Sequence, residues 1–168
     1  AVGDEDGSAA PGIDIRFEDV TAKSGIRFAH ERAASWEKLY LETMGAGVGW
    51  IDYDQDGLLD AYYVNSGATP NFQPEMPPQP ALYRNLGDGT FEELGVQRGA
   101  AFNAMGQTEA GMGIVAEDLD QDGWIDLFMT HLRNESNTLY RNLGEARGFL
   151  DATNTSFPGA PSQAYTGF

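Results

Sequence analysis

The stretch Asp52-Tyr53-Asp54-Gln55-Asp56-Gly57-Leu58-Leu59-Asp60 recurs as Asp118-Leu119-Asp120-Gln121-Asp122-Gly123-Trp124-Ile125-Asp126. Both copies carry aspartate at positions 1, 3, 5 and 9 and glycine at position 6. Carboxylates this close together in a short loop repel one another unless a cation lies between them. Oxygen ligands at this spacing suit Ca²⁺, and the glycine permits the sharp turn around the ion. The sequence therefore predicts two calcium loops.

Each loop is expected to supply main-chain as well as side-chain ligands. Ca²⁺ takes about six to eight oxygens, so we expect the carbonyl at position 7 to bind as well, with water completing the shell. The predicted ligands are Asp52, Asp54, Asp56, Leu58 and Asp60 for the first ion and Asp118, Asp120, Asp122, Trp124 and Asp126 for the second. The alternative is an acidic, solvated turn without an ion, which two matching copies make less favourable.

The start of each loop would also suit an EF-hand, but the rest of the pattern differs. An EF-hand loop needs a bidentate glutamate at position 12, where this chain has Tyr63 and Met129. The flanks are short apolar runs rich in aromatic and β-branched residues, such as 47–51 and 61–64 in the first copy. Such runs are typical of buried strands. We therefore predict a strand, a calcium loop and a second strand.

The composition limits the classes of partner. The 168 residues fit one domain or part of one. A formal charge of −16 argues against binding to nucleic acid or to an anionic membrane surface, since both need clustered Lys and Arg. No apolar run approaches the ~20 residues of a membrane-spanning helix. The chain lacks cysteine, which excludes disulfides and thiolate chemistry.

Calcium loops of modest affinity favour a compartment that is rich in calcium. Extracellular calcium modules bind at ~10⁻⁴–10⁻³ M. The sequence starts at Ala1 without an apolar signal segment, as a mature chain does after signal removal, although a shortened chain would look the same. We expect a secreted, periplasmic or cell-surface protein.

The repetition extends beyond the loops. Residues 45–49 align with 111–115 at the same offset of 66 that separates the loops. The run LYRNLG occurs at 82–87 and at 139–144, and a strand-like pattern of Phe followed by an acidic residue two positions later starts at 17, 91 and 149. The Pro-rich segment 66–80 lengthens the first repeat and is predicted to be an exposed loop. It is the best candidate for contact with a partner, and a tolerated insertion without a binding role is the equal alternative.

Each repeat thus contains four predicted strands: one before the ion loop, one after it, the LYRN strand and the Phe-containing strand. A unit of about 40–60 residues with four antiparallel strands is typical of a propeller blade. The predicted fold is an all-β propeller, and the glycines of the first strand suit its crowded centre.

The predicted organisation follows the repeats. It comprises a flexible lead at 1–14, an N-terminal strand and connector at 15–44, a first blade at 45–110, a second blade at 111–166 and the start of a third repeat at 167–168. About two and a half blades cannot close a ring of typically about four to eight. We expect the chain to be part of a larger propeller, and closure by another chain is the alternative.

Three segments carry a family resemblance: FEDVTAKSGI at 17–26, GAGVGWIDYDQDGLLDAYYVN at 45–65 and LYRNLGDGTF at 82–91. A second copy runs GMGIVAEDLDQDGWIDLFMTH at 111–131 and LYRNLGEARGF at 139–149. These patterns resemble the FG-GAP/VCBS repeat family, which includes the integrin α-subunit head, and are most similar to its cartilage-acidic-protein or ASPIC/UnbV-like branch. The resemblance implies an extracytoplasmic β-propeller that binds calcium in the loop between its first two strands.

The function predicted from these features is non-catalytic. No common catalytic motif is present, His30 and His131 are too few for a histidine-based site, and a glycosidase-like pair of Glu109 and Glu117 rests on composition alone. We predict a calcium-stabilised module that binds a protein or glycan partner outside the cytoplasm. The alternatives are a structural subunit of a surface assembly or fibre and an accessory component of an extracytoplasmic enzyme complex.

Overall fold

The computed structural model describes residues 15–34, 36, 45–68, 71–132 and 135–156. The predicted lead at 1–14 and the predicted third repeat at 167–168 lie outside these residues. The described elements are α1 (Thr21–Ser24), β1 (Val48–Ile51), β2 (Asp60–Tyr63), β3 (Ala81–Asn85), β4 (Phe91–Glu93), β5 (Gly111–Glu117), β6 (Asp126–His131), β7 (Thr138–Asn142), β8 (Phe149–Asp151) and α2 (Thr153–Ser156). Neither of these two short helices has the length and apolar character needed to cross a membrane.

The strands form two sheets of identical topology. Both sheets have four strands in sequence order, β1-β2-β3-β4 and β5-β6-β7-β8, and every neighbouring pair is antiparallel. The two ion loops close the β1–β2 and β5–β6 hairpins, and the LYRN runs lie in β3 and β7. The predicted all-β class and the predicted four-stranded antiparallel units are confirmed. The sheets are consistent with two blades of a propeller.

The main hydrophobic core contains residues from both sheets. Alternate side chains of a strand point to the same face, so one face of each sheet carries most of the apolar contacts. The core comprises Ile51, Tyr53, Tyr62, Val64, Leu82 and Ala100 from the first repeat and Leu127, Met129, Tyr140 and Phe149 from the second. The Tyr62 hydroxyl donates a 2.6 Å hydrogen bond to the carbonyl of Ala100, which ties the connector between the repeats to β2. Each repeat therefore buries apolar surface against the other.

The opposite face of the first sheet is covered by the segment that precedes it. Phe28 stacks on Tyr63 with ring centroids 4.8 Å apart, and Tyr63 meets Tyr83 edge to face. Ile26 packs against the same cluster, and the Arg27 amide donates to the Tyr83 hydroxyl at 3.1 Å. The first sheet is thus packed on both faces.

The N-terminal strand predicted from the pattern that starts at Phe17 is wrong. Residues 15–20 have no regular structure and α1 begins at Thr21. Phe17 is 96% exposed, so its alternating neighbours have no apolar surface to pack against. The carbonyl of Val20 accepts the amides of Lys23 and Ser24, both at 2.9 Å, which favours a helical turn. An alternating pattern forms a strand only where a neighbouring strand can pair with it.

Glycine is required where β5 passes the first sheet. A Cβ atom placed on Gly111 would lie 2.2 Å from Cγ1 of Val64 and 3.3 Å from the carbonyl oxygen of Asn65. The Gly111 amide donates to that same carbonyl at 3.0 Å, so the two backbones are held together at this point. Gly45 occupies the equivalent position in the first repeat, and no described atom lies within 4 Å of the corresponding Cβ position.

We predict that Gly111→Ala destabilises the protein, whereas the matched Gly45→Ala does not. The added methyl at 111 must displace Val64 or separate the sheets, and overpacking of this kind costs about 1–3 kcal/mol. The change at Gly45 meets no described atom within 4 Å and should stay within about 0.5 kcal/mol. Urea unfolding of both variants measures the difference, and equal midpoints would show that the two sheets do not pack as described.

Candidate metal centres

The two ion loops have the same backbone conformation. Each loop connects antiparallel strands, and its ends are paired as Ile51 with Asp60 and as Glu117 with Asp126. Position 4 is left-handed in both copies, with φ of 60° at Gln55 and 63° at Gln121. A left-handed glutamine is uncommon, so its occurrence at the same position of both loops indicates one shared loop structure.

Three carboxylates converge in each loop. One oxygen from each of Asp52, Asp54 and Asp60 lies within 4.8 Å of the others, and Asp118, Asp120 and Asp126 form the same arrangement. Oxygens that bind one Ca²⁺ at about 2.3–2.6 Å can be at most about 5 Å apart. The spacing of both triads therefore fits a single calcium ion.

The first loop contains buried oxygens that lack hydrogen bonds. Both carboxylate oxygens of Asp54 and Oδ1 of Asp52 are buried without a hydrogen-bond partner. Burial raises the pKa of Asp54, although the nearby Arg84 guanidinium opposes the rise. Arg84 Nε lies 2.6 Å from Asp54 Oδ2, but its N–H is not aligned for a hydrogen bond. A cation among these oxygens would supply the missing partner, so the donor set fits calcium.

The aspartate at position 9 is the most buried member of each triad. Asp60 accepts the amides of Tyr53 at 3.2 Å and Asn85 at 2.8 Å. Asp126 accepts the amides at the equivalent positions, those of Leu119 at 3.2 Å and Asn142 at 2.8 Å. Burial raises the pKa of Asp60 to about 6 and also raises the pKa of Asp126. Each position-9 carboxylate thus joins the loop, the strand after it and the end of the LYRN strand.

The remaining predicted ligands lie in the loops but outside the triads. Asp56 Oδ1 accepts the amide of Leu58 at 2.9 Å, and Asp122 Oδ1 accepts the amide of Trp124 at 2.9 Å. These bonds form the turns at positions 5 to 7. The roles of Asp56, Asp122 and the carbonyls of Leu58 and Trp124 as ligands stay predictions.

The structure adds an arginine to each centre that the loop pattern did not suggest. Arg84 contacts Asp54 and also lies 3.3 Å from Asp56, and Arg141 contacts Asp120. Both arginines belong to the LYRN runs, whose recurrence in each repeat was the available signal. Four aspartates with one divalent ion leave a net negative charge, and the guanidinium offsets part of it.

Comparison with known proteins agrees with the repeat structure. No curated protein and no solved structure matches the chain. Residues 52–129, which run from the first ion loop through the second loop into β6, match the family described as FG-GAP-like repeat. This match supports the FG-GAP repeat family as the origin of the two repeats.

Proposed function

We propose that this chain is a non-catalytic, calcium-stabilised part of a β-propeller that binds a protein or glycan partner outside the cytoplasm. The observation that carries the proposal is the pair of matching aspartate triads, each with oxygens within 4.8 Å of one another. FG-GAP repeats suggest a propeller-like interaction module, and the family match supports that class.

Calcium in these loops would act on the fold rather than on a substrate. When bound, the ion supplies a positive charge that neutralises crowded carboxylates and cross-links the two ends of each loop. Asp60 and Asp126 would fix the start of β2 and β6, while Asp52 and Asp118 hold the turn by accepting the amides of Gly57 at 3.1 Å and Gly123 at 3.0 Å. Holding the loop closed keeps the neighbouring strands in register.

The extracytoplasmic location follows from the calcium requirement. Sites of modest affinity fill only where calcium is abundant, as it is outside the cell. The resemblance of the sequence patterns to the cartilage-acidic-protein or ASPIC/UnbV-like branch, which rests on those patterns alone, supports a secreted, periplasmic or cell-surface position. A net charge of −16 also disfavours nucleic acid as a partner.

A polar cavity offers a surface for the partner at the end of the strands away from the ion loops. The cavity measures about 650 Å³ and lies between the Pro-rich loop, the connector that precedes β5 and the segment after β6. Its lining includes Asn103, Gln107, Glu109, Glu135 and Ser136. Burial raises the pKa of Glu109 and raises that of Glu135 to about 7. Amide and hydroxyl groups, together with the carboxyl group of Glu135, can both donate and accept hydrogen bonds, as recognition of sugar hydroxyls requires.

We predict that calcium raises the melting temperature of the protein. Saturation of one site at about a hundred times its dissociation constant stabilises the folded state by about 2.7 kcal/mol. For a chain of this size each site should then add about 5–10 °C. Thermal melts with EGTA and with excess Ca²⁺ test this, and Mg²⁺ should give a smaller shift because it demands a tighter octahedral shell. Identical melts with EGTA and Ca²⁺ would contradict calcium binding.

We predict that Asp52→Asn and Asp118→Asn each remove about half of the calcium-dependent shift. Asparagine keeps an oxygen that can accept the amide of Gly57 or Gly123 but removes the charge that binds the ion. Asp88→Asn is the matched control, since Asp88 lies in the exposed β3–β4 turn and accepts the amide of Thr90 at 2.9 Å. The same loss of shift in the control would show that overall charge, rather than the loops, determines the effect.

We predict that a glycan bound in the cavity is held more weakly by Gln107→Ala than by the unchanged protein. Loss of one hydrogen bond to a ligand should reduce affinity by about three- to tenfold. The control is Gln97→Ala, which removes an exposed glutamine from the connector after β4. A glycan array followed by titration of the best binder makes the comparison. If no glycan binds, the proposed glycan site in the cavity is wrong, and a protein is the partner class that the proposed function retains.

A further inference from the structure

A buried hydrogen-bond path connects the two metal centres. The Asn142 amide donates to Oδ1 of Asp126 at 2.8 Å, and the side-chain nitrogen of Asn142 donates to the carbonyl of Tyr53 at 2.8 Å. The Tyr53 amide in turn donates to Oδ2 of Asp60 at 3.2 Å. Asn142 is only 1% exposed. One residue thus contacts a carboxylate of the second centre and the backbone of the first loop.

The equivalent residue of the first repeat does not make this bridge. The Asn85 amide donates to Asp60 at 2.8 Å, as the Asn142 amide does to Asp126. The side chain of Asn85, however, donates to the carbonyl of Leu59 in its own loop at 3.0 Å, in an exposed position. The two repeats therefore contain a matched pair of asparagines. Both donate a backbone amide to the position-9 aspartate, but only Asn142 also donates from its side chain to the loop of the other repeat.

A second contact joins the loops directly. The left-handed Gln55 donates from its side-chain nitrogen to the carbonyl of Gly123 at 2.5 Å. The next amide, that of Trp124, donates to Asp122 in the second loop. Gln55 is exposed, so water competes for this bond and it contributes less than the buried one. Both contacts nevertheless fix the position of one loop relative to the other.

We propose that Asn142 couples the two centres, so that calcium bound at one raises the affinity of the other. This inference rests on the proposed calcium binding. An ion in the first loop would fix Asp52 and Asp54, and with them the Tyr53 carbonyl that accepts from Asn142. An ordered Asn142 holds Asp126 in place for the second ion. The conformational entropy lost in ordering the shared residues is then lost only once for two ions, which is positive coupling.

Electrostatics acts in the opposite direction. The first ion makes its loop less negative and so weakens the attraction of the protein for the second ion. This effect is screened by salt, whereas a buried hydrogen bond is screened much less. Titrations at low and high salt therefore separate the two contributions, and the coupling should be larger at high salt.

The test is calorimetric titration of the whole chain with Ca²⁺, together with two variants that each keep one site. Asp118→Asn reports the first site alone and Asp52→Asn reports the second alone. The coupling factor is the product of the two binding constants of the unchanged protein divided by the product of the two single-site constants. We expect a factor of about five, the size of one buried hydrogen bond. At high salt, where the electrostatic contribution is screened, Asn142→Ser should bring the factor close to one and Asn85→Ser should leave it unchanged.

Each outcome of the titration is decisive. Failure of all variants and of the unchanged protein to bind Ca²⁺ would overturn the proposed function and the inference together. Two sites with a factor of one at high salt would overturn only the coupling. A factor above one that persists in Asn142→Ser would overturn the role of Asn142. Should that variant fail to fold, Asn142→Asp with its control Asn85→Asp replaces the pair, since aspartate keeps the acceptor for the Gly144 amide and loses the donor to Tyr53.

Discussion

The structure depends on a buried carboxylate at the start of the second strand of each sheet. Asp60 is completely buried, and the charge of an aspartate at such a position costs several kcal/mol unless it is compensated. Two amide donors offset part of this cost, at about 1.5–3 kcal/mol for each hydrogen bond to a charged group. The donors come from the loop and from the end of β3, so the same carboxylate whose charge they offset only in part also joins the loop to β2 and β3.

The repeat uses one sequence motif for two kinds of contact. Within a repeat, the LYRN strand supplies an arginine against the loop and an amide to the position-9 aspartate. Between the repeats, Asn142 and Gln55 extend contacts to the adjacent loop. The described residues contain no earlier repeat for Asn85 to reach, which explains why its side chain bonds within its own loop. The position of the repeat in the chain, and not the residue type, therefore decides whether the asparagine side chain bonds within its own loop or to the adjacent loop.

The sequence was sufficient to predict the loops and strands of each repeat but not the contacts between residues far apart in the chain. The spacing of the aspartates and the two offsets predicted the loops, the hairpins and the four strands of each sheet, because these depend on neighbours in sequence. The N-terminal strand predicted from the pattern that starts at Phe17 was wrong because a strand depends on a partner that no local pattern reveals. The contacts of Arg84 and Asn142 were missed for the same reason: Asn142 meets Tyr53 across 89 positions of the chain.

The two ends of the second sheet solve the problem of buried polar groups in different ways. At the end away from the loops, the hydroxyl of Thr138 donates to Glu109 at 2.6 Å and lies 3.0 Å from Nε2 of His131. Burial lowers the pKa of His131 to about 4, which keeps the ring neutral, and raises the pKa of Glu109. Hydrogen bonds among the hydroxyl, the neutral ring and the carboxyl therefore link the buried polar groups at that end. At the loop end, three carboxylates converge within 4.8 Å, and amide donors alone do not balance their charge. Calcium would therefore strengthen the end of the sheet that hydrogen bonding leaves incomplete, which is also the end where the two repeats share Asn142.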